Sequence, residues 1–300
     1  MDGRIIECVP NFSEGRDLRV VARIAEALTS VHGVALLDQT SDWDHNRSVL
    51  TLAGPPDAVI EAAFRGIQQA AVLIDLSRHA GVHPRIGAAD VIPLVPIAGT
   101  SLEFCAGLAK GLGERVWREL HVPVFLYEAA ARRPDRVNLA NVRRGLFEAL
   151  REEVRRNPER VPDFGDAALH PTAGACVIGA RKFLIAFNIN LNTADLEIAR
   201  RIARKIRASS GGLPAVKALG LRLESRGQAQ VSINLTDFEV TPLWAVVEAV
   251  RTEAAQCGVR IASTELIGLI PRAALATQGG CDLGIREDQI LENRLDQCLR

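Results

Sequence analysis

Short β-branched runs bounded by glycine and proline alternate with helix-length amphipathic stretches across the first half of the chain, and this alternation restricts it to an α/β architecture. Residues 5–9, 34–37, 48–53, 91–96 and 122–127 read as strands, and residues 18–28, 57–75 and 102–120 as helices. Only a polar loop separates strands 34–37 and 48–53, so the sheet is expected to be mixed. A second unit opens near Gly174 with strands 175–178 and 182–190, helix 194–208, strands 216–223 and 229–235, helix 241–256 and strand 259–267. That order has the split βαβ character of ferredoxin-like folds. The fold class is therefore α/β (α+β), with two subdomains, 1–174 and 175–300, each expected to be a mixed sheet covered by helices. The charged, proline-containing stretch 132–162 reads as exposed helix and connection, with the pairs Arg143-Arg144 and Arg155-Arg156 on solvated faces.

Composition removes several classes of function. The 300 residues are 48% hydrophobic and 24% charged, and 36 basic side chains balance 36 acidic ones, so nothing steers the chain to nucleic acid or anionic lipid. No stretch approaches the ~18 to 20 apolar residues of a membrane span, and the N-terminus lacks a signal-peptide core. A cytoplasmic enzyme is expected. Six scattered cysteines without a C-x-x-C pair argue against disulfides and against a zinc–cysteine site.

Chemistry concentrates in the run Ser77 to Asp90, which holds His79, His83, Arg78, Arg85 and Asp90 between a helix and a buried strand. Gly81, Gly87 and Pro84 break the helix there, so both histidines sit on a loop. Their four-residue spacing could suit zinc with His45 or Asp90. The broken helix and the lack of a glutamate after His79 argue for no metal. His79 then orders the loop backbone, while His83 either does the same or carries out acid/base work. His45, in a loop with Asp42, Asp44 and Asn46, is either a turn residue or a substrate contact. In the second half, Asn188, Asn190, Ser232 and Asn234 alternate with apolar residues, forming either a solvated sheet face or a polar cavity wall.

The opening Ile6-Glu7-Cys8-Val9-Pro10-Asn11-Phe12-Ser13-Glu14-Gly15-Arg16 resembles the signature of the formiminotransferase family. Asn46-Arg47-Ser48-Val49, Ser77-Arg78-His79 through Gly87, Pro162-Asp163-Phe164-Gly165, the run Gly179 to Leu191, and Ala229 to Val240 agree with it in order. The resemblance implies two α/β subdomains with substrates in a channel between them, a homodimer, and transfer of the formimidoyl group of N-formimidoyl-L-glutamate to N5 of tetrahydrofolate. It places the acid/base on His83. It places the folate loop on Gly165, Asp166, Ala167, Ala168, Leu169, His170, Pro171, Thr172, Ala173 and Gly174. The chain departs from animal members in the middle of that loop, and at Thr40, where they carry an aspartate. It also ends before a cyclodeaminase domain would begin.

The chemistry assigns further roles. A carboxylate can hold the planar amidinium of the donor through paired hydrogen bonds, and Asp38, Asp42 and Asp44 are available. Arg47, Arg85, Arg181 and Lys182 can meet the donor's carboxylates, with His45 and Asn46 beside them. Asn188, Asn190 and Asn234 suit the pterin ring. The alternatives are a formyl in place of a formimidoyl donor, a non-catalytic folate-binding protein, and a metal-dependent formimidoylglutamate hydrolase.

Overall fold

A computed structural model of the protein describes residues 3–275 and 283–298. The chain divides into two units, one ending at Arg181 and the other running from Lys182 to Cys298.

The first unit contains β1 (Ile5–Cys8), β2 (Asn11–Phe12), α1 (Leu18–Thr29), β3 (Ala35–Asp42), β4 (Arg47–Gly54), α2 (Pro56–Leu73), β5 (Ala89–Ala98), α3 (Leu102–Leu120), β6 (Val124–Glu128), α4 (Leu139–Val142), α5 (Leu146–Glu153) and β7 (Cys176–Ala180). β1 and β2 form one interrupted line between β4 and β5, β3 lies outside β4, and β7 and β6 extend the sheet in parallel beyond β5. The sheet is mixed, as its sequence implies.

The second unit contains β8 (Ile185–Leu191), α6 (Leu196–Ile206), β9 (Val216–Leu223), β10 (Gln228–Leu235), α7 (Leu243–Gln256), β11 (Ile261–Ile267) and α8 (Leu291–Cys298). Its sheet order is β11-β8-β10-β9. Among the described residues its strand pairings, β10 with β8, β10 with β9 and β11 with β8, are all antiparallel, which corrects the expectation of a mixed sheet. Each βαβ crossover skips a position that a strand of the opposite direction fills. Taking β1 and β2 as one strand, β3-β4-β1/β2-β5 repeats the same order, so both units are built on one split βαββαβ plan. The first unit adds α3, β6, α4, α5 and β7 to it.

The unit boundary falls at Arg181, where the sequence places it at Gly174. The apolar run 175–178 reads locally as the first strand of a new unit, but its partners are Val91 to Leu94 and Val124 to Glu128 of the first sheet. β3 also continues to Asp42, well past its apolar start, because β4 pairs with it along its length.

α1, α2 and α3 cover one face of the first sheet. Val21, Ile24 and Leu28 of α1 are buried at helical spacing, each worth about 1.5–3 kcal/mol of burial. Asp17 caps α1 by accepting from the Arg19 amide, and Ser101 caps α3 by accepting from the Phe104 amide. Gly66 lets α2 approach α1, since a Cβ there would run into the Leu28 side chain. On the opposite face, Val91, Phe125, Tyr127 and Val177 pack with Val142 of α4 and Phe147 and Leu150 of α5. The 132–162 stretch is thus part of a core rather than a loose connection.

In the tail, residues 276–282, with Cys281, lie outside the described residues. Ile290 bridges to Ile270, and α8 follows it. Among the described residues, no helix is long and apolar enough to cross a membrane.

Candidate functional site

Asp90, at the start of β5 and fully buried, organises the histidine loop. Its Oδ1 accepts from the Ile86 amide at 2.8 Å and the Gly87 amide at 3.3 Å. Its Oδ2 accepts from Arg47 Nη1 at 2.8 Å and from Arg143 Nη2. Burial alone would raise the Asp90 pKa, but the two guanidiniums and these hydrogen bonds outweigh it and hold the carboxyl below its ordinary value. Burial pulls the Arg47 guanidinium down to about 10. Arg143 is a correction to the sequence reading: its side chain is 12% exposed, not solvated. The adjacent pair Arg143-Arg144 gives no local signal of which member turns inward.

His83 is half-buried. Its Nδ1 lies 2.9 Å from the Pro84 carbonyl oxygen. A carbonyl only accepts, so Nδ1 carries the hydrogen and Nε2 the lone pair. Burial, then Arg47, Arg143 and His45, push the His83 pKa well below the ordinary histidine value. The His45 and His83 ring centroids are 5.7 Å apart.

His79 serves the loop. Arg85 Nε donates to its Nδ1 at 2.9 Å, and its Nε2 lies 3.0 Å from the Asn46 carbonyl. Arg85 also pairs with Glu148 of α5 through both oxygens, at 2.7 and 3.0 Å. The structure therefore commits much of the Arg85 guanidinium to protein groups.

The turn between β3 and β4 clasps this loop. Asp42 Oδ1 accepts from the His45 amide at 2.7 Å, and the buried Asp44 accepts through its carbonyl from the Val82 amide at 3.1 Å. Asn46, at φ 47°, accepts from the Gly15 amide at 3.0 Å and donates to the Ala80 carbonyl at 3.0 Å. Asp42, Asp44, His45, Asn46, Arg47, His83 and Arg85 are thus brought into one cluster.

The segment 165–174 meets the same loop. Leu76 N donates to Thr172 O at 2.8 Å, Ala88 N to Ala173 O at 2.9 Å, and Gly87 bridges to Gly174. Leu169, Ala173 and Gly174 are buried, while Asp166, Ala167 and Pro171 are exposed. His170 Nδ1 accepts from the Ala173 amide at 3.0 Å, and burial lowers its pKa. Gly165 has φ 138°, a value that side chains rarely adopt.

The remaining expected residues are elsewhere. Arg181 follows β7, its amide bonded to Leu94 O at 3.1 Å and its charge acting on Glu7 and Tyr127. In the second unit Lys182 pairs with Asp237 at 2.7 Å. Asn188 and Asn190 are buried there, and Asn190 donates to Ser263 Oγ at 3.0 Å and accepts from Gln230 Nε2 at 2.9 Å. Asn234 is exposed.

Residues 5–181 match the family "Formiminotransferase domain, N-terminal subdomain" and residues 186–293 match "Formiminotransferase domain". The chain belongs to the formiminotransferase family. The two matched segments meet where the structure divides. The chain is 47% identical over 298 residues to a glutamate formimidoyltransferase of Thermoplasma acidophilum, covering 98% of each chain. It is 45% identical over 296 residues to a glutamate formimidoyltransferase of Streptococcus pyogenes serotype M1, covering 97% of this chain and 99% of that one. A formimidoyltransferase-cyclodeaminase of Mus musculus is 45% identical over 278 residues, 91% of this chain but 51% of that protein. The chain spans about half the length of that two-activity relative.

Proposed function

We propose that the protein transfers the formimidoyl group of N-formimidoyl-L-glutamate to N5 of tetrahydrofolate, releasing L-glutamate. What supports this most is the Nε2 lone pair of His83, set beside the Arg47–Asp90–Arg143 cluster where the histidine loop meets the 165–174 segment. Full-length similarity to proteins named for this transfer agrees with it.

The donor amidine is protonated near neutral pH, so its carbon is already electrophilic. N5 attacks that carbon, and His83 Nε2 takes the proton lost from N5 as the tetrahedral adduct forms. The imidazolium so made faces two guanidiniums and surrenders its proton readily to the departing glutamate nitrogen as the C–N bond breaks. Asp42 or Asp44 holds the amidinium. Arg47 and Arg143 share one carboxylate and keep a positive charge for the donor's carboxylates. The 165–174 loop contacts the folate, which acts as co-substrate. The proposal extends to a cytoplasmic homodimer, in keeping with the family resemblance.

Mixing the protein with both substrates should give the 5-formimidoyl product, followed by its absorbance. His83→Ala should lower kcat about 10²- to 10⁴-fold and leave tetrahydrofolate affinity near that of the wild type. Turnover that needs no folate would instead indicate a hydrolase, and folate binding without product a carrier.

A further inference from the structure

Glu7 is the most anomalous side chain in the first sheet. It is 1% exposed, and neither carboxylate oxygen has a hydrogen-bond partner among the described residues. Its neighbours Ile6 and Cys8 belong to the core under α1–α3, so Glu7 points to the opposite face. In an antiparallel ladder, paired residues share a face. Glu7 pairs with Ala53 of β4, so Thr51 and Arg47, in two-residue steps along β4, lie on the Glu7 side. Thr51 is also 1% exposed, and its hydroxyl too has no partner among the described residues.

Glu7 and Thr51 are diagonal neighbours, about 7 Å apart. Together they present two adjacent acceptors and one hydroxyl on the face that carries Arg47. A desolvated carboxylate without hydrogen bonds weakens a fold, and an apolar residue of similar size would serve packing better. The charge of Arg181 offsets only part of this, and burial raises the Glu7 pKa to about 7.

We propose that Glu7 and Thr51 receive the pyrimidine edge of the pterin, the carboxylate oxygens accepting from N3–H and the 2-amino group and the hydroxyl donating to O4. This rests on the folate-dependent reading above. Arg47 lies four residues further along β4, about 13 Å from Thr51, so a ring anchored at Glu7 extends toward the end of the sheet that carries His83. The donor's amidinium offers a similar pair of N–H groups. It has no acceptor to match the hydroxyl, so the pterin is the better fit.

Calorimetric titration of the whole protein with tetrahydrofolate, 6-methyltetrahydropterin and 6-methyltetrahydrolumazine, whose 2-amino group is replaced by oxygen, tests this. Wild type should bind the pterins and discriminate against the lumazine. Glu7→Gln should weaken both pterins about 10- to 100-fold and abolish the discrimination. It should leave thermal stability unchanged or raised and the KM for formimidoylglutamate unchanged. Thr51→Val should weaken the pterins less. A Glu7→Gln protein with intact pterin affinity, or one weakened only toward the donor, overturns the assignment. So does a wild type that binds lumazine as tightly as pterin, a result independent of how any variant folds. Failure of wild type to bind tetrahydrofolate would instead defeat the folate reading itself, and is seen before any variant is made.

Discussion

Arg85 donates from Nε to His79 Nδ1 at 2.9 Å, and this single bond decides the state of the imidazole. A ring nitrogen that accepts from a guanidinium holds no hydrogen, so His79 is neutral with its hydrogen on Nε2, donated to Asn46 O. Burial, with the Arg85 charge adding to it, lowers the His79 pKa.

Nitrogen-15 spectra should therefore show His79 as the Nε2–H tautomer at pH 7, with a protonation midpoint below the ordinary histidine value. Arg85→Met should move its pKa upward and cost about 1.5–3 kcal/mol in denaturant unfolding, since hydrogen bonds to a charged group are lost. A charged His79 at pH 7 in the wild type would contradict the structure.

Asp90 tests the cluster as a unit. It accepts from two amides and two guanidiniums, and Asp90→Asn leaves Arg47 and Arg143 buried without their counter-charge. The expected loss is about 3–5 kcal/mol, with loss of turnover. The pH dependence has a defined sign. The folded-state pKa lies below the unfolded value of about 3.9, so the stabilisation is complete above pH 4 and fades as pH falls through the folded value. Urea melts of wild type and variant should differ by a constant amount near neutrality and converge in acid.

The histidine loop was legible because Gly81, Pro84 and Gly87 stop a helix at a place dense in functional groups. Its electrostatics were not, because they depend on Arg143, fifty-three residues from Asp90, reached through the four-residue α4, which is too short to show a periodicity. The same limit applies to β7. An apolar run of five residues reveals a strand but not its partner, and Val177 pairs with Val91 across most of the first unit. The split βαββαβ order of the second unit was readable from element succession, and its antiparallel pairing follows once each crossover skips a strand. Glu7 gave no signal beyond a charge in an apolar run, since burial and missing partners are properties of the assembled sheet.

The Gly87–Gly174 bridge joins the histidine loop to the 165–174 segment, and both positions need glycine for the same reason. A Cβ on Gly87 would run into Ala175 O, and one on Gly174 into Ile86 O, while Gly174 also sits at φ 69°. Gly174→Ala should cost about 2 kcal/mol or more in stability and weaken tetrahydrofolate binding. Gly107, whose Cβ would meet nothing within 4 Å, is the control: Gly107→Ala on α3 should leave folate affinity unchanged and stability equal or improved by about 1 kcal/mol. Equal effects at the two sites in paired melts and titrations would deny the bridge its role.

His83 carries the last prediction. Burial and the charges of Arg47, Arg143 and His45 all oppose its protonation, so its folded pKa lies well below 6.5. The imidazole is then a free base throughout the neutral range, and the acid limb of kcat/KM that reports it should fall well below pH 6.5. Replacing Arg143 by Met removes one of those cations without touching the ring, and the His83 pKa should rise toward its ordinary value, carrying the acid limb with it. Stability gives an independent sign. Below about pH 6.5 the unfolded chain takes up a proton at residue 83 that the folded chain refuses, so His83 should cost the wild type stability as pH falls. That cost should shrink in Arg143→Met. Proton NMR titration of the His83 ring in both proteins settles the matter: an unchanged pKa in the variant would separate Arg143 from the base and leave its contact with Asp90 as packing alone.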